Sequence, residues 1–157
     1  MKASLPVVVA VAASLGAAIA PLHAQSLRPA LDFATADAIR DHCLAAADRA
    51  GYTVAVAVFD AGGDLVSFGK DRTSPAAGAV AQWKGRSAAI YGYSTAQTAT
   101  WNIPAAPMIS TAQGGVPIFT TDGQDLGGVG VSGAPSAFDE ACGTAAVQAA
   151  GLRVTRP

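Results

Sequence analysis

The run from Gly114 to Glu140, GGVPIFTTDGQDLGGVGVSGAPSAFDE, leaves the chain few choices of local structure. Val116 to Thr121 is β-branched and aromatic, the composition of a strand. Asp122-Gly123 follows, a two-residue turn signal of the kind that needs φ > 0. Gln124 to Val131 then returns as a second strand, rich in glycine where a bulky side chain would block close backbone approach. Pro135 suits the first turn of a helix, and Asp139 and Glu140 stand near that helix's positive end. The spacing predicts a hairpin that hands over to a helix.

The chain opens differently. Lys2 gives a short positive region, Leu5 to Ala20 is uncharged and rich in Val, Ala and Leu, and Leu22-His23-Ala24 ends in a small residue before Gln25. This pattern predicts a secretory signal peptide over residues 1–24, cleaved after Ala24, and so a periplasmic or secreted protein. The apolar stretch is on the short side for a membrane span, and no stable span is expected after cleavage. The absence of Cys at the cleavage point argues against a lipoprotein. About 133 residues remain, 25–157, enough for one domain with a real core. Without Lys2 the chain carries nine basic residues against eleven acidic ones, scattered in both signs. No basic run exists to meet nucleic acid.

Within this domain, Ala36, Ile39, Cys43, Leu44 and Ala47 recur at helical spacing, predicting a helix from Phe33 to Ala50 that Gly51 ends. Strands are expected at about Thr53 to Asp60 and Leu65 to Lys70. Ser74 and Pro75 open a second helix as N-cap and first residue, running to about Tyr91. A short helical or irregular piece continues from Thr95. Asn102 to Gln113, with Pro104 and Pro107, is the least regular segment and the expected pocket rim. After the second hairpin come a helix from Pro135 to Ala150 and an edge strand over Leu152 to Thr155. The order is α-β-β-α-β-β-α-β. Hairpins imply antiparallel pairing, so the fold class is α+β. The two hairpins, VFDAGGDLV and FTTDGQDLG, echo one another too briefly to form a repeat.

Several of these pieces together carry a resemblance. The GGxPI run, its hairpin, the G-x-x-GVSG strand and the DE-headed helix resemble the GlcG/HbpS-like haem-binding family. They are also similar to the C-terminal part of some corrinoid adenosyltransferases. Val54 to Asp60 with Ala61-Gly62-Gly63-Asp64-Leu65-Val66 matches the family's first hairpin, and Lys84 in WKGRSAAIYGYST matches the lysine of its KAxTA helix. Gly85 departs from the expected Ala, which on helix propensity alone weakens that helix by roughly 1 kcal/mol. The resemblance implies a five-stranded antiparallel sheet with packed helices, profilin-like, and assembly into homo-oligomers. If the first and last helices are neighbours, as the family fold suggests, an oxidising compartment favours a Cys43–Cys142 disulfide.

Candidate chemistry is sparse. Gly128 to Gly133 spells GxGxxG, but its strand arrives through a hairpin and no acidic residue follows at the ribose-binding distance, so a tight helix–sheet contact explains the glycines better. Ser132 lacks the G-x-S-x-G setting, and the mature chain has one His to serve as base. That residue, His42, lies beside Asp41 off the most apolar stripe of the first helix. A surface or interface histidine is one reading; an axial haem ligand is the other. Met108 is the main alternative ligand, with Tyr91 and Tyr93 behind it. One His and two Cys cannot readily build a closed zinc site. Lys70, Arg72, Lys84 and Arg86 form a basic group that suits propionates or a small carboxylate, with ordinary solvated side chains as the plain alternative. Trp83, Trp101 and Phe119 could wall a porphyrin or simply pack the core. Helix-end electrostatics accounts for Asp139 and Glu140 without acid–base catalysis.

The cofactor-binding candidates are therefore His42, Met108, Lys84, Arg72 and Trp101, with His42 and Met108 as metal ligands. The resemblance implies an exported protein that binds haem or another tetrapyrrole and stores it, relays it or releases its iron. The lack of CxxCH excludes covalent c-type attachment. Two other readings stand beside this one. A cofactor-free enzyme would act on a small organic acid or ring compound, its pocket closed by the loop from Asn102 to Gly115 over Lys84, Arg72 and Asp139. A non-catalytic partner module of a sensor or exported oxidoreductase would show an apolar surface patch.

Overall fold

The computed structural model describes residues 27–101, 103 and 106–157. The predicted leader and its cleavage point lie outside the described residues. Helix α1 (Phe33–Arg49) starts where the Asp32 carboxylate accepts from the Thr35 N–H at 2.8 Å, and Gly51 leaves it at φ +76°. Strands β1 (Ala55–Asp60) and β2 (Leu65–Lys70) form the first hairpin. Helix α2 (Pro75–Tyr91) is capped by Ser74, whose hydroxyl accepts from the Ala77 N–H at 3.1 Å. A single turn, α3 (Thr95–Thr98), is closed by a Ser94/Gln97 capping box. Strands β3 (Gly115–Phe119) and β4 (Asp125–Ser132) form the second hairpin, and α4 (Ser136–Ala149) follows.

Among the described residues the sheet has four antiparallel strands in the order β2-β1-β4-β3, where five were expected. The predicted edge strand over Leu152 to Thr155 is reduced to one bridge, in which Phe119 and Arg153 exchange N–H···O bonds of 2.8 and 3.0 Å. Proline chemistry accounts for the stop. The next hydrogen-bonded position along this outer edge of β3 falls at Pro117, which has no N–H to give.

Helices α1 and α4 cover one face of the sheet and α2 covers the other. Alternation along β1 feeds both layers: Val54, Val56 and Val58 join Ile39, Cys43 and Val147 on the α1/α4 side, while Ala55, Ala57 and Phe59 meet Ala81 and Ala89 of α2. Cys43 and Cys142 are joined by a disulfide that ties α1 to α4, with Cα atoms 5.4 Å apart. On the α2 side the packing is backbone against backbone. A Cβ on Gly130 would lie 2.1 Å from the Ala81 carbonyl oxygen, and one on Gly128 would lie 2.4 Å from the Ala89 nitrogen. The first two glycines of the GxGxxG run, Gly128 and Gly130, are thus the seat of α2.

Candidate functional site

The irregular segment after α3 is fastened along one stripe of α2. Trp83, Ser87 and Tyr91 recur every four residues and so share a helix face. The Trp83 indole N–H donates to the Ile109 carbonyl at 3.0 Å, the Ser87 hydroxyl accepts from the Ser110 N–H at 2.8 Å, and the Tyr91 hydroxyl donates to the Pro107 carbonyl. Trp101 packs edge-on against Tyr91 and Tyr93, with centroids 6.1 and 5.0 Å away. Between the two anchored carbonyls sits Met108 at φ +62°, in the left-handed region. Such a conformation in a non-glycine residue persists where its neighbours over-determine it, as Pro107 and Ile109 do here.

Met108 thereby overhangs a cleft of about 220 Å³ lined by Phe59, Gln82, Trp83 and Arg86. Met108 is 46 % exposed and Trp83 40 %, whereas Phe59 is buried. The Arg86 Nε is buried and makes no hydrogen bond among the described residues. A soft thioether, two aromatic walls and an uncommitted guanidinium therefore converge on one place. A larger groove of about 680 Å³ lies at the hairpin end of the sheet, lined by Leu31, Asp60, Ile90, Leu126 and the paired Asp125 and Arg156. Among the described residues it is lined by no His, Met, Cys or Tyr, the side chains that haem iron accepts.

The sequence-predicted residues fall in different places. Met108 lines the cleft, and Trp101 braces the loop that carries it. His42 is half-buried on α1 and lines neither recess. Because α1 and α2 cover opposite faces, the sheet separates His42 from Met108, and one chain cannot bring both to the same iron. Arg72 projects into solvent, 93 % exposed, with Asp71 at 3.9 Å as its ion-pair contact. Arg86 belonged to the basic group in the sequence, but nothing there set it above its neighbours. The separating signal is its place one turn beyond Trp83 on a helix whose Trp83 and Tyr91 side chains bind the loop.

Lys84 is committed elsewhere. Its ammonium lies 3.1 Å from the Asp139 carboxylate and donates to the Val131 carbonyl at 2.9 Å, both side chains being buried. The other Asp139 oxygen accepts from the Ala134 N–H at 3.2 Å. Burial raises the Asp139 carboxyl above its ordinary 3.8, with the Lys84 charge and the Ala134 and Gly133 N–H groups pulling the other way. Gly114 (φ +123°) passes so near that a Cβ there would lie 2.8 Å from the Lys84 Nζ, and a Cβ on Gly115 would lie 2.5 Å from the Lys84 carbonyl oxygen. The lysine helix, the Gly-Gly step and the acidic helix start are thus parts of one buried tie between α2 and α4. Neither Lys84 nor Asp139 is available to an open pocket.

An α+β fold with a disulfide-tied helix pair on one face and an aromatic–methionine cleft on the other is the class that this geometry defines. The chain matches the family model described as haem degrading protein HbpS-like over residues 31–148, and it belongs to that family. Among solved structures it is similar to HbpS, at 26 % identity over 84 % of this chain and 98 % of that one, TM-score 0.75. A double glutamate-to-aspartate variant of Streptomyces reticuli HbpS is 24 % identical over 87 % and 97 % of the two chains, TM-score 0.75. A PduOC:heme complex is 20 % identical over 82 % of this chain and all of that one, TM-score 0.74. No curated protein matches the chain.

Proposed function

We propose that the protein is exported and binds haem or a related tetrapyrrole, which it stores or relays. Membership of the HbpS-like haem-degrading family over residues 31–148 carries this reading. The donor set of the cleft agrees with it. Met108 offers a thioether to iron, Trp83 and Phe59 offer flat apolar walls, and Arg86 offers charge to a propionate. A volume of about 220 Å³ falls below the roughly 300–1,000 Å³ of pockets that enclose a whole ligand, so the cleft would take an edge of the macrocycle. The remainder would lie against the exposed side chains of Trp83, Ile90 and Met108, a surface that a second copy of the chain would cover. In this arrangement Met108 is the residue that would hold the iron. His42, on the far side of the sheet, is the alternative.

Bound haem would supply the iron and its absorbance; the chain would hold it, orient it and shield it from water. The test is production of the full chain with its leader intact, followed by N-terminal sequencing and visible absorption spectroscopy with and without added haemin. The mature protein is expected to begin at Gln25 and to develop a saturable Soret band distinct from that of haemin with an unrelated protein of similar size. A spectrum identical to that control would overturn the haem reading, and an N-terminus still at Met1 would overturn export.

A further inference from the structure

We infer that the cleft beneath Met108 is, independently of haem, a binding site for a small aromatic carboxylate, with Arg86 as its anion-recognising residue. The first observation is Arg86 itself. Its Nε is buried without a hydrogen bond, and the side chain has no ion-pair partner among the described residues. A buried donor on a charged group left without an acceptor is expensive, and native structures rarely keep one without a use. The first hairpin closes over it: a Cβ on Gly63 would stand 3.5 Å from that Nε. The Asp60 carboxylate of that hairpin accepts through one oxygen from the Gly62 and Asp64 N–H groups at 2.9 and 3.0 Å and forms no ion pair with Arg86.

The second observation is the shape of what surrounds the guanidinium. Phe59 forms a buried floor, and the Trp83 indole, fixed by its bond to the Ile109 carbonyl, forms a wall. Met108 supplies a polarizable edge, the kind of contact thioethers make with aromatic rings. An apolar cavity of about 150 Å³ accepts benzene, so about 220 Å³ has room for one ring and its carboxylate. A guanidinium presents its N–H groups as a planar fork, which a carboxylate answers with two parallel bonds. A neutral amide of the same shape cannot.

Benzoate is the probe, titrated into haem-free protein from Gln25 onward and read on the two indole N–H resonances, assigned with Trp101→Phe. The expected result is a saturable shift of the Trp83 indole with benzoate. Benzamide should bind about tenfold or more weakly, as should benzoate to Arg86→Gln, the loss expected for a charge-assisted pair. Arg86→Lys, which keeps the charge and loses the fork, should fall between. The unchanged Trp101 resonance reports that each variant is folded. Equal binding of benzoate and benzamide, an unaltered affinity in a folded Arg86→Gln, or no saturable shift up to the solubility of benzoate would overturn the assignment. Haemin plays no part in this readout, so its outcome and that of the haem titration are separate.

Discussion

At Gly85 helix propensity and packing predict opposite signs for one substitution. Propensity makes Gly85→Ala stabilising by about 1 kcal/mol. In the structure a Cβ there would lie 2.7 Å from the Ala57 carbonyl oxygen and 2.8 Å from the Gly130 nitrogen, backbone atoms that a strand cannot readily move. Gly85→Ala is therefore expected to destabilise the protein by about 2 kcal/mol or more, as overpacking does; urea unfolding checks the sign directly. Asp139 makes a second prediction at this scale. Its folded-state pKa is raised above the ordinary 3.8, so the folded state holds its proton more tightly than the unfolded chain does. That contribution to stability is complete below pH 3.8 and is lost as pH rises through the raised value. The stability difference between the wild type and Asp139→Asn should accordingly narrow as pH rises across this window. A gap that widens instead would mean that the Lys84 charge outweighs burial.

Among the elements, both hairpins and the three long helices were legible because each carries its own local signal. Ser74-Pro75 opens α2, Asp122-Gly123 turns β3 into β4, and Gly51 closes α1. The expected fifth strand stops at one bridge for an equally local reason: Leu152 to Thr155 has strand composition, but pairing needs a partner edge, and Pro117 withholds the next N–H. The cleft was only half legible. Met108 stood out as a rare ligand type, whereas the bonds that fix its loop link residues 16 to 26 positions apart, beyond any periodic pattern. Lys84 drew attention as a family position, yet its partner Asp139 lies 55 residues away and was explained by its own helix end. The loop clasp is testable. Ser87→Ala leaves the buried Ser110 N–H without its acceptor, at an expected cost of about 1–3 kcal/mol. Amide exchange at Ser110 should quicken while exchange in β1 and β4 stays slow; uniform quickening would mean that the bond supports the whole domain.

For the molecule as a whole, the disulfide closes a loop with a sequence separation of 99, linking the first helix to the last. Reduction, or Cys43→Ser with Cys142→Ser, is expected to lower stability by about 2–5 kcal/mol, measured by denaturant unfolding with and without reductant. The two faces of the sheet divide the labour. Valines, Ile39 and the disulfide consolidate the α1/α4 side, while the glycine-seated α2 carries the clasped loop, the aromatic walls and the uncommitted guanidinium. Haem bound on the α2 face should answer to changes on that face alone. The most direct measurement is a haemin titration of the mature protein followed at the Soret band, run in parallel on the wild type, Met108→Leu and His42→Ala. Saturable binding that is lost or spectrally altered in Met108→Leu and unchanged in His42→Ala is the predicted result. Binding altered only in His42→Ala would move the iron to the α1 face, and no saturable binding to the wild type would contradict the haem assignment itself.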